Sequence, residues 1–127
     1  MPLVSDTVTV RIPGDTHHVA LLRAAASALA ARLDFPIDRI TELQIVVDEV
    51  CSRLMAVTEG PTRITMELHP DEDVIGIVAS VEGPRRSGRE LLSEWSRVIL
   101  EAIARDIRPD LADGTTSLSM SVARSGR

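Results

Sequence analysis

The chain has 127 residues and a formal net charge of −5, which fits one domain around one core. All 14 basic residues are Arg and none cluster beyond Arg85-Arg86, so a nucleic-acid backbone is not an expected partner. The single cysteine, Cys51, rules out an internal disulfide framework, and no apolar run reaches membrane-spanning length, so the expectation is a soluble cytoplasmic protein that does not enter a membrane.

Thr7 to Ile12 alternates polar and apolar residues behind a short, flexible lead, which predicts a half-buried strand at a sheet edge. Pro13-Gly14 ends it. Asp15 or Thr16 can cap a helix to about Leu33, whose Val19, Leu22, Ala26, Leu29 and Leu33 step by three and four. Phe35-Pro36 breaks that helix, and Asp38 caps the next.

This central helix, Asp38 to Val57, carries Ile40, Leu43, Val47, Val50, Leu54 and Val57 as one apolar stripe. Glu42, Glu49 and Arg53 project from one flank of it. Glu49 and Arg53 are four apart with the acid first, the favourable order for a helical ion pair. Cys51 sits mid-helix and reads as packing.

After Glu59-Gly60-Pro61 the period falls to two. Ile64, Met66 and Leu68 lead through Pro70 to Asp73 into a returning strand, Val74 to Val81, so the two form a hairpin. A polar loop from Glu82 to Arg89 precedes a helix expected from about Glu90 to Ile107, with Leu91, Leu92, Trp95, Val98, Ile99, Ala102 and Ile103 on its buried side. Asp113-Gly114 turns into a last strand, Thr115 to Ala123. The whole chain, 1–127, reads as one α+β domain of order βααββαβ. Its expected form is a two-layer sandwich, an antiparallel mixed sheet with helices on one face.

That order and certain residues resemble the anti-sigma factor and serine-protein-kinase family of the histidine-kinase-like ATPases, along essentially the whole chain. Leu43 to Cys51 is similar to the family helix in which a Glu precedes a Mg2+-binding Asn by four residues. Ala79-Ser80-Val81-Glu82-Gly83-Pro84 resembles its D-x-G-x-G box, and Asp113-Gly114-Thr115-Thr116 its closing G-T-T turn. The resemblance implies Glu49 as the catalytic residue of a kinase. It makes Arg53, Val81, Gly83, Thr115 and Thr116 the nucleotide-site positions. It also implies a homodimer whose first helix, through Asp15, His17, His18 and Arg23, meets a sigma factor.

The departures weaken the kinase. Arg53 stands where the metal ligand belongs, and a guanidinium has no lone pair to give a metal. The chain contains no Asn at all, so no shift of register restores one. Val81 replaces the adenine-reading Asp, and Arg85 the second Gly. A charge-assisted hydrogen bond is worth roughly 1.5–3 kcal/mol, so losing the adenine contact alone costs about one to two decades of affinity. The expectation is therefore an anti-sigma factor without ATP, opposed by an anti-anti-sigma protein of the STAS type, with no cofactor and no metal site. The alternatives are an active kinase that uses Mg-ATP to phosphorylate the anti-anti-sigma partner, or a scaffold or sensor of the same fold.

Overall fold

The computed structural model describes residues 6–125; the start of the lead before the first strand lies outside them. Eight elements follow in order: β1 (Val8–Pro13), α1 (Val19–Arg32), α2 (Ile37–Val57), β2 (Arg63–Pro70), β3 (Val74–Glu82), α3 (Glu94–Ile103), β4 (Arg105–Ala112) and β5 (Thr115–Ala123). The strands form one sheet, β1-β2-β3-β5-β4.

Period-two patterning sets its inner face. Ile64 lies opposite Val81, Met66 opposite Ala79 and Leu68 opposite Ile77, and Ala79 and Ile77 in turn face Leu118 and Met120. All of these are buried. The stripe of α2 packs over β3 and β5, with Leu43, Val47, Val50, Leu54 and Val57 inaccessible to solvent. The core is aliphatic apart from Phe35.

The α+β, helix-on-sheet class is the expected one, with β1 at an edge. Two details differ. Every strand pair is antiparallel, so the sheet is not mixed. The element order is βααββαββ, because the third helix stops at Ile103 and the chain then forms β4. Asp113 and Gly114, at φ 53° and 75°, make the tight turn that joins β4 to β5. Positive φ at both central positions is what such a hairpin turn requires.

The early return from helix to strand also moves side chains. Trp95 is 69% exposed and Val98 58%, whereas the helical spacing had put both inside. Within α3 the buried residues are Ser96 and Leu100. The caps differ too. The Asp15 carboxylate accepts the His18 N–H at 3.1 Å and closes a turn ahead of α1, whose own N-cap is His18. Pro36, not Asp38, is the N-cap of α2; Asp38 lies in its first turn, where its charge opposes the positive end of the helix dipole.

Candidate functional site

The polar flank of α2 faces α3 and the segment that precedes it. Arg39 donates to Glu42 at 2.8 Å. Glu49 accepts a 2.6 Å hydrogen bond from the Ser96 hydroxyl. Ser96 is 1% exposed, and its N–H is capped by the Ser93 Oγ at 3.1 Å, which starts α3. Arg53 donates from Nε to the Leu91 carbonyl at 2.8 Å and from Nη2 to the Glu90 carbonyl at 2.6 Å. The expected Glu49–Arg53 pair is thus not formed. Two adjacent carbonyls suit the planar guanidinium fork, while the carboxylate takes the buried Ser96 hydroxyl, which also lies 2.9 Å from the Ser93 Oγ.

The strand residues gather at one end of the sheet. Val81 lies opposite Thr116 and Glu82 opposite Thr115. Gly83 has φ 122°, a conformation open to glycine, and its N–H donates to the Gly114 carbonyl at 3.1 Å. The two glycine turns are therefore joined. The Thr116 hydroxyl is buried without a hydrogen-bond partner, because its cross-strand neighbour Val81 offers only methyl groups. An unmet polar group of this kind costs about 1–3 kcal/mol.

The segment 83–93 links these two sets and is tied to the end of α2. The Arg86 N–H donates to the Val57 carbonyl at 2.7 Å, and the Glu59 N–H to the Pro84 carbonyl at 3.0 Å. The Arg86 Nε reaches the Thr58 carbonyl at 3.0 Å. Leu91 and Leu92 are tucked in at 7% and 6% exposure.

No family model matches the chain, but curated proteins do. Anti-sigma-F factor RsbW of Mycobacterium tuberculosis is 24% identical over 128 residues, covering 92% of this chain and 73% of its own length. Serine-protein kinase RsbW of Bacillus cereus is 28% identical over 80 residues, 61% of this chain and 50% of its own. The same-named protein of Halalkalibacterium halodurans is 29% identical over 80 residues. The chain is thus similar to proteins named anti-sigma factor and serine-protein kinase.

The residues expected to meet a partner lie on the other side of α2. Arg23 on α1 is held by Asp48 at 2.6 Å, so it is half-exposed and engaged rather than free. His18 Nδ1 shares a 2.7 Å hydrogen bond with Asp15, and that bond to His18 holds the Asp15 carboxyl below the usual carboxylate range. His17 points to solvent. Asp48 and Glu49 thus turn to opposite neighbours, one toward α1 and one toward α3. Among the described residues, no three His, Cys, Asp or Glu side chains are placed to share a metal ion.

Concavities open on both layers of the fold. One of about 570 Å3 runs between α1 and β1, lined by Val8, Ala25, Leu29 and Pro70. Another, of about 490 Å3, lies on the open face of the sheet by Arg11, Thr65, Glu67 and Ser80.

Sequence reasoning missed three residues. Arg39 is 7% exposed and staples α2 to the Ala123 carbonyl at 2.7 Å. The tie from Arg86 to Thr58 and the Ser96 bond to Glu49 are likewise absent from the sequence reading. Only Ser93 and Ser96 carried a local signal, a hydroxyl three residues before the N–H it caps.

Proposed function

We propose that the chain is an anti-sigma factor that binds an RNA-polymerase sigma factor, is opposed by an anti-anti-sigma protein, works in the cytoplasm as a homodimer and does not use nucleotide. The observation that carries this reading is the similarity along 92% of the chain to a protein named anti-sigma-F factor. The residues at the resemblance site do not fit a magnesium nucleotide. Arg53 brings a positive charge where a cation would sit, and its Nε and Nη2 donate to backbone carbonyls. Val81 is an aliphatic side chain at 1% exposure where the adenine amino group would need an acceptor. Phosphoryl transfer depends on positioning and metal electrostatics, so no catalytic step is derived.

The kinase reading has two observations in its favour. Glu49 is kept, and relatives at 28–29% identity are named serine-protein kinases. Here, however, the Glu49 carboxylate already accepts the chain's own Ser96 hydroxyl.

Two measurements test the proposal. Tagged chain co-purified from its native cell is expected to bring down a sigma factor, and Arg23→Glu is expected to reduce that yield, since it reverses a half-exposed charge on α1. Recovery of an anti-anti-sigma protein without any sigma factor would remove the central claim. Titration calorimetry with millimolar Mg-ATP is expected to give no saturable heat. A micromolar Kd would overturn the nucleotide-free part and favour the kinase.

A further inference from the structure

The segment 83–93 lies on the surface yet is fixed at both ends from one helix. At the near end, the backbone of Arg86 and Glu59 and the Arg86 guanidinium bind it to the last turn of α2 and to Thr58, beside an isolated bridge between Thr58 and Arg85. At the far end, Arg53 reaches the two carbonyls immediately before α3. Between these anchors, residues 87–89 are exposed and are braced from within the segment, by Arg85 Nη2 on the Arg89 carbonyl at 2.8 Å and by the Arg89 N–H on the Arg86 carbonyl at 3.4 Å. One turn beyond the far anchor, Ser96 donates to Glu49.

We infer that the 83–93 segment is a latched strap: Arg53 on α2 and Arg86 on the strap itself hold it shut against the end of α2, and releasing it also frees Glu49 from Ser96. Both guanidinium groups act on neutral backbone carbonyls, so the closed state is made entirely by groups of this chain. Arg53 is the positioning residue. Its two donors meet the strap where it becomes α3, so withdrawing them loosens Leu91, Leu92 and the Ser93 cap together. Arg86 holds the other end and leaves β3 in register. The inference stands whether or not the chain binds a sigma factor, because every contact in it is internal.

Native-state hydrogen exchange on the full chain tests this, alongside limited trypsin digestion, since Arg85, Arg86 and Arg89 place three cleavage sites in the strap. In Arg53→Ala, amides of residues 86–93 and of the first turn of α3 are expected to exchange tenfold faster or more. Amides of β3 and β5 should stay within about twofold, because local openings are separable from global unfolding. Trypsin should cut the strap correspondingly faster. Arg53→Lys should fall between, since one ammonium does not reproduce the fork. Ser96→Ala should loosen the first turn of α3 while leaving residues 84–87 slow. The latch is overturned if exchange in 86–93 is unchanged in Arg53→Ala, or if it rises equally through β3 and β5. Should Arg53→Ala fail to fold, Arg53→Lys and Arg86→Ala decide: normal exchange through the strap in both rejects the inference.

Discussion

Cys51 is fully buried in α2, and burial, with the Asp48 charge adding and Arg23 opposing, pushes its thiol up to about 12 from an ordinary 9.0. The chain has no Lys and no Tyr, so this thiol is the side chain that titrates between those limits. In the unfolded chain it ionises near 9, while in the fold it keeps its proton to about 12. Its contribution to stability is therefore intact below pH 9 and is lost as pH rises toward 12. Urea midpoints measured from pH 8 to pH 11 are expected to fall in the parent chain and to stay flatter in Cys51→Ala; an equal fall in both would reject the assignment. Single residues of this kind were easy to read as buried, but their partners were not. Arg53 was singled out on the correct flank of its helix. The spacing rule for helical pairs then supplied Glu49, because it knows only neighbours on the same helix. Carbonyls at Glu90 and Leu91, far along the chain, lie outside what such a rule can see.

Elements with strong periodicity are legible from residue order alone. The stripe of α2 and the alternation of β2, β3 and β5 each bury one face, so burial selects the pattern. The stretch that became β4 has no such face: seven of its eight residues are exposed and only Ile107 is partly buried. Ile99, Ile103 and Ile107 kept a helical spacing across the boundary, and pairing with β5, a non-local interaction, won over it. The same boundary decided the fate of Trp95. Because its side chain is 69% exposed, Trp95→Ala is expected to change unfolding free energy by no more than about 0.5 kcal/mol. The buried position suggested by the longer helix would instead cost about 3–5 kcal/mol. Urea titration followed by circular dichroism separates the two.

The whole molecule is a sheet with two edges, and only one of them is plain. β1 pairs with β2 without a break in register, and among the described residues no strand lies on its outer side, which favours association. Light scattering at tens of micromolar is expected to give the mass of two chains; a single-chain mass would reject pairing through β1. The outer edge β4 is different. Its register shifts between Arg105 and Arg108, Asp106 takes φ 56°, and Pro109 has no N–H to donate. A strand that docks on β1 extends the sheet once, and the far side of each copy offers nothing further to extend. Unlike β1, whose proline is its last residue, the bulged strand with its proline in mid-strand thus serves as a chain stopper. It lets the molecule keep one sticky edge without the runaway growth into fibres that two such edges would permit.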